Sequence, residues 1–405
     1  MYGGYLSYGG VEVVNAERTA AYAEHSGATA LISHRYRAPD LPLVLGDDIY
    51  TSPETDGAPW VQAGVPWAEE FLGLYPLTIQ GVDDSTVTTS VTSLTDDGAI
   101  AAPPSHSARE IRVRGVLVAT SARGLEAGAA WLRGVLDYSP CDPGQRCGER
   151  EASCYLAAPS LDSPAEHRRT FFRVSTLSGV RTVRDYAPRR GALREVEFLL
   201  VAGVPWGFTD LAAVVTSTGL SGTPGTAEVA CPPLAYTTAD LVLDPALPAL
   251  PTPPTPPSID PVAMPSTWTR YVALIPAAVA ERPGRGAPVV TLTTSGSVRR
   301  NVRIRFYRDT NATVGLDVPV CDFLGEAFVT YVPANSVATI DGRTREVSIS
   351  VSGGDPQPAG HLVLGSQGRP IRWPVLSCQS AYTVVIDSES ALTGTTVLVS
   401  LAVGD

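Results

Sequence analysis

The residues that could do chemistry are few, and their spacing is uninformative. The five histidines, His25, His34, His106, His167 and His361, stand in no HExxH or comparable metal-ligating pattern. A Gly-x-Ser-x-Gly nucleophile elbow is missing, and so is a GxxxxGK[ST] phosphate loop. Gly3-Gly4 and Gly9-Gly10 bracket aromatic residues, but no strand is expected before them, which excludes a dinucleotide fingerprint. Four acidic pairs, Asp47-Asp48, Glu69-Glu70, Asp83-Asp84 and Asp96-Asp97, invite a glycosidase reading. Glycoside hydrolysis needs two carboxylates facing each other across a bond, and neighbours along a strand point to opposite faces. The pairs therefore read as loop and turn carboxylates. No catalytic residue, no metal site and no cofactor is expected.

The six cysteines include a close group, Cys141, Cys147 and Cys154, followed by Cys231, Cys321 and Cys378. Structural zinc sites use cysteines two to four residues apart, and no such pair occurs. The group reads as a loop disulfide or a cluster of reduced thiols, and cytoplasmic folding favours the thiols. Asp309-Thr310-Asn311 with Asp317 and Asp322 hints at calcium but lacks the EF-hand pattern, so a polar turn is expected. Aromatic residues near the C-terminus could form a sugar platform, and the candidates for glycan-facing rings are Trp268, Tyr307 and Trp373.

What would position such groups follows from composition and pattern. With 405 residues, 44% hydrophobic and 18% charged, the chain is globular and long enough for two or three domains. Its net charge of −11 argues against wrapping nucleic acid, which requires clustered Lys and Arg. The basic pairs Arg168-Arg169, Arg189-Arg190 and Arg299-Arg300 read as solvated strand edges or subunit contacts. No apolar run reaches the length of a membrane span, and the first residues lack the pattern of a secretory signal, so folding in a cytoplasm is expected.

The clearest boundary is the proline-rich run from Asp244 to Pro257, which suits neither a helix interior nor a central strand. It reads as a semi-rigid spacer at 244–266 between a domain over 1–243 and another over 267–405. Alternating residues predict strands at 111–118, 170–177 and 195–201. Leu125, Ala129, Leu132 and Leu136 lie on one helical face, predicting a helix over 122–137 with Ser121 as N-cap. Beyond the spacer almost everything reads as strand: 302–307, 382–387, 396–403 and a hairpin from 336–340 to 345–351 through Asp341-Gly342. The fold class is mainly β, with β-sandwich domains and one prominent helix in the N-terminal domain.

The order of these features resembles a known family. A glycine- and tyrosine-rich start is followed by strand, helix and strand from Arg109 to Asp137, then by a cysteine-bearing loop. The strand Arg194 to Val201 runs into Ala202-Gly203-Val204-Pro205-Trp206. This is similar to the N-terminal domain of siphophage distal tail proteins, known in phages of actinobacteria as minor tail proteins. The segments Asn301–Tyr307, Ile340–Arg345, His361–Gly365 and Trp373–Cys378 resemble the second domain of that group. The resemblance spans most of the chain and is weakest over the first 100 residues.

The resemblance implies a structural protein of the virion: a homo-hexameric ring at the tail tip, joining the tail tube to the tip or baseplate complex. Its implied neighbours are the tail tube protein, the tip hub and the tape-measure protein, with assembly in the host cytoplasm. The outer domain would be galectin-like or carbohydrate-binding-like. Two other classes compete: a receptor- or glycan-binding tail protein working through the C-terminal sandwich, and an enzyme degrading the host envelope. Neither sequence-specific nucleic-acid recognition nor membrane insertion is expected.

Overall fold

Ile111, Val113 and Leu117 are buried on one strand whose Arg112 and Arg114 are exposed, and comparable alternation recurs along the chain. The computed structural model describes residues 2–28, 36–84, 87–93, 99–102, 105–137, 150–164, 166–186, 192–218, 220, 222–224, 268–275, 285–309, 323–365, 368, 370–371, 373–377 and 380–404. They divide into two units, Met1–Ala212 with Ala402–Asp405, and Ala213–Leu401.

The first unit contains β1 (Tyr2–Tyr8), β2 (Val11–Asn15), α1 (Ala16–His25), α2 (Leu41–Leu45), β3 (Phe71–Gln80), β4 (Val87–Thr88), β5 (Val91–Ser93), β6 (Ala99–Ala101), β7 (Ser105–His106), β8 (Arg109–Ala119), α3 (Ala122–Asp137), β9 (Arg150–Tyr155), β10 (Arg168–Tyr186) and β11 (Ala192–Ala202). Seven strands form one antiparallel sheet in the order β2-β1-β9-β10-β11-β8-β3. Two short ribbons, β4 with β7 and β5 with β6, stand apart from it. Gly9 and Gly10 turn the chain between β1 and β2, and both adopt the positive φ that glycine allows cheaply.

The helix α3 spans Ala122–Asp137, as its spacing predicts, and Ser121 Oγ accepts the Gly124 N–H at 3.1 Å as the expected cap. Leu125, Ala129, Leu132 and Leu136 are all buried against the sheet. Burying each leucine stabilises by ~1.5–3 kcal/mol, which outweighs the ~1 kcal/mol that each of the helix's glycines costs. One of them, Gly128, is required: a Cβ there would lie 2.2 Å from Phe71 Cδ2. The helix α1 begins at Asn15, whose Oδ1 accepts the Arg18 N–H at 2.9 Å.

The second unit holds β12 (Ala212–Thr216), β13 (Thr223–Pro224), β14 (Thr269–Ile275), β15 (Arg285–Thr294), β16 (Arg299–Asp309), β17 (Phe323–Val332), β18 (Ser336–Asp341), β19 (Glu346–Val351), β20 (Gln357–Pro358), β21 (Val363–Leu364), β22 (Leu376–Ser377), β23 (Ala381–Ser388) and β24 (Thr395–Gly404), the last residues of β24 counting with the first unit. One sheet runs β12-β24-β15-β18-β19-β20, with β22 added to β15, and the other runs β13-β14-β23-β16-β17-β21. Leu292, Ile340 and Val399 from the first sheet share a core with Ile304, Val329 and Ile386 from the second, which makes the unit a sandwich.

The units divide at Ala212, earlier than the expected boundary at 243, because β12 and β13 pair with strands of the second unit. The proline-rich spacer lies outside the described residues. The hairpin β18–β19 forms, but its turn differs from expectation. Arg345, at φ 60°, takes the left-handed conformation that the sequence assigns to Gly342. Gly342 is needed for close approach instead, since a Cβ there would meet Pro288 O at 2.5 Å. Asp341 Oδ1 closes the turn by accepting the Arg343 N–H at 2.8 Å.

Candidate assembly surface

One of the three candidate glycan-facing rings is enclosed by the fold. Tyr307 is only 2% exposed, on β16, and its ring meets Phe323 edge-on at 5.8 Å. It belongs to the interior, which corrects its assignment as a glycan-facing residue. Trp373 is half-buried and packed against the sandwich core, and Trp268 is half-buried with its indole N–H enclosed. Cys154 is buried within β9 rather than placed in a loop, while Cys141 and Cys147 lie outside the described residues. The calcium candidates from Thr310 to Asp322 also lie outside them. Among the described residues no group of three or more His, Cys, Asp or Glu side chains is placed to hold a metal ion. No described helix is long and apolar enough to cross a membrane.

The basic pairs also need correction. Strand geometry sends adjacent side chains to opposite faces, so one member of each described pair is buried. Arg169 is 2% exposed and donates to Glu166 O at 3.2 Å, whereas Arg168 is exposed. Arg299 is buried and donates to Ser390 Oγ at 2.9 Å, whereas Arg300 lies over the Tyr331 ring at 5.9 Å. Asp47 is likewise more than a loop carboxylate. It accepts from Arg18 at 2.8 Å and from Tyr50 Oη at 2.7 Å, and Arg18 also pairs with Glu12 at 2.8 Å. Burial pushes the Glu12 carboxyl above the ordinary range, opposed by Arg18.

Two exposed features of the first unit stand out. The first is the outer half of β10. Its ladder with β9 ends at the pair Val174–Arg150, and beyond that the described residues supply no strand against this edge as far as Tyr186. The opposite edge stays paired with β11 to the register Tyr186–Leu193. Leu177, Val183 and Tyr186 are exposed along this stretch, at 55%, 38% and 39%. The arm is braced by polar contacts: Arg194 donates to Asp185 at 2.6 Å and to Glu126 at 2.7 Å, and Tyr186 Oη donates to Glu195 at 2.9 Å. The bond from Arg194 holds the Glu126 carboxyl below the usual carboxylate range.

The second feature is an apolar groove of about 690 Å³ on the outer face of α3, lined by Trp60, Val65, Pro66, Trp67, Ala127 and Trp131 among others. Trp60 is held from below, its indole N–H donating to Phe71 O at 2.8 Å and its ring meeting Trp131 at 5.4 Å. Trp67 has φ 67°, a conformation unfavourable for a bulky residue, and the Arg123 guanidinium lies 4.6 Å from its ring centroid. Sequence reasoning missed this groove because its tryptophans come from a loop and a helix that are distant in the chain.

No family model and no curated protein matches the chain. Solved structures do match. The chain is similar to the SPP1 Dit protein, described as a paradigm of hub adsorption apparatus in phages infecting Gram-positive hosts, at 10% identity and a TM-score of 0.39, over 82% of this chain and 93% of that one. It is similar to the phage p2 baseplate in its activated conformation with Ca, at 7% identity and a TM-score of 0.36, over 79% and 90%. With Sr in place of Ca the values are 6%, 0.39, 78% and 91%. These neighbours are phage tail proteins.

Proposed function

We propose that this protein is a structural component of a phage tail tip, a ring-forming adaptor between the tail tube and the tip or baseplate complex, without enzymatic activity. The observation that carries the reading is the outer edge of β10. Among the described residues no strand lies beside that edge beyond Val174, and Leu177, Val183 and Tyr186 are exposed along the same stretch, a hazard for a solitary protein and an asset for one whose copies cover each other's edges. The sequence resemblance to distal tail proteins supplies the six-fold number and the implied neighbours: tube protein, tip hub and tape-measure protein. The burial of Tyr307 leaves only Trp268 and Trp373 of the three candidate rings for a glycan-binding role of the second unit.

The test is the mass of the full chain by light scattering, followed by negative-stain imaging. A hexameric mass with a six-fold ring and a central channel supports the adaptor. A monomer at all concentrations, with or without purified tail tube protein, overturns it.

A further inference from the structure

The chain carries both a tryptophan-lined groove and, elsewhere, the kind of segment that such grooves hold. Recognition of proline-rich segments uses aromatic-lined apolar grooves, because prolyl rings are flat and apolar and their backbone is already restricted before binding. The groove on α3 fits this chemistry in three respects. Its floor and walls are three tryptophans with Pro66 and Val65. Its volume of about 690 Å³ falls within the ~300–1,000 Å³ of built ligand sites. Its two rim charges are already engaged, Arg123 over Trp67 and Glu126 by Arg194, so an uncharged occupant strands neither. The left-handed backbone at Trp67 is a local cost of the kind that persists where a side chain must be held for contact.

The sequence holds one matching segment. Pro245–Pro257 reads PALPALPTPPTPP, with seven prolines and no charge. We propose that the tryptophan groove of one copy binds the proline-rich segment of a second copy. This rests on the self-association proposed above and deepens it. Groove and segment are different surfaces, so their contact is head-to-tail, the type of interface that generates a ring when the rotation closes.

The probe is a labelled peptide of residues 244–258, titrated into the full chain carrying Pro248→Ser, Pro251→Ser, Pro253→Ser, Pro254→Ser, Pro256→Ser and Pro257→Ser, so that its own segment does not compete. Anisotropy and tryptophan emission are read together. Saturable binding is expected, weakened at least about ten-fold by Trp67→Ala and by Ala130→Arg, a change on the exposed face of the helix, and absent for a peptide with serine at the same six positions. No saturation at millimolar peptide, or binding indifferent to both variants, overturns the proposal.

A second arm identifies the source. Full chain with Ala130→Arg keeps its segment but has a blocked groove, and it is mixed with the serine-substituted chain, whose groove is open, both carrying Leu177→Lys and Val183→Lys so that the β10 edge does not join them. Mixed association in light scattering is expected. Peptide binding without mixed association places the segment in its own chain's groove and overturns the second-copy assignment. If the unmodified chain forms rings while the peptide fails to bind, this proposal falls and the adaptor reading stands. If the peptide binds and the mixed pair associates but the unmodified chain forms no closed ring, the adaptor reading falls and this contact remains.

Discussion

The side chains of Arg305 and Asp387 form an ion pair in the second unit with 1% and 2% of their surfaces exposed, and Arg270 takes the other carboxylate oxygen at 2.7 Å. One carboxylate on β23 thus pairs with two buried guanidinium groups, on its neighbours β14 and β16. Removing it takes this counter-charge from both. Asp387→Ala should cost about 3–5 kcal/mol, seen by calorimetry of the full chain as a lowered transition for the second unit. A shift no larger than that of a surface substitution would show that the two arginines do not depend on this carboxylate.

Two glycines of α3 should respond to alanine with opposite signs. At Gly134 an added Cβ meets nothing within 4 Å, so Gly134→Ala should stabilise by about 0.5–1 kcal/mol through helix propensity. At Gly128 the Cβ would collide with the Phe71 ring, and Gly128→Ala should destabilise by about 1–3 kcal/mol. Urea midpoints of the two variants decide the matter, and equal signs would contradict the packing described for this helix.

Burial raises the Glu12 carboxyl above its unfolded value, and the sign of the pH effect follows. The folded state holds the proton more tightly than the unfolded state. The contribution of Glu12 to stability is therefore greatest below the ordinary glutamate range and declines as pH rises through that range toward the folded value. The stability difference between the unmodified chain and Glu12→Gln should shift against the unmodified chain as pH is raised from about 4 to 7. A difference that instead grows with pH would mean that the pairing with Arg18 outweighs burial.

The β10 edge makes a separable prediction. Leu177→Lys with Val183→Lys changes exposed positions, so folding stability should move by no more than about 0.5 kcal/mol for each. Closed rings should be lost, as measured by light scattering and imaging at matched concentration. Intact rings from the double variant would remove this edge from the interface.

What was legible in the sequence is what depends on local pattern. Leu125, Ala129, Leu132 and Leu136 gave α3 away because one apolar stripe on a helix has a single solution. The alternation around Val113, Phe198 and Ile304 likewise placed β8, β11 and β16. By contrast, α1 left no such signal. Its buried residues are three alanines and Tyr22 with the polar Glu17, Arg18 and Thr19, and the charged pair is matched by Arg37, Glu12 and Asp47, partners that only the folded chain brings near. The groove was hidden for the same reason: Trp60, Trp67 and Trp131 have no common period. The buried arginines at 169 and 299 show the reverse error, where charge suggested solvent and the strand's alternation decided otherwise.

The bridge between Phe208 and Gly404 has a consequence for how such a chain can change. Thr209 and Val403 bond each other there as well, so the first unit contains both the residues just before the second unit and those just after it. The second unit is thus a cassette with two splice points rather than an appendage with one. Recombination that exchanged residues 213–401 in frame would leave the first unit's own contacts in place. A simple stop after Ala212 would instead strip Phe208 of its pairing with Gly404, so exchange of the cassette is a milder genetic event than its loss.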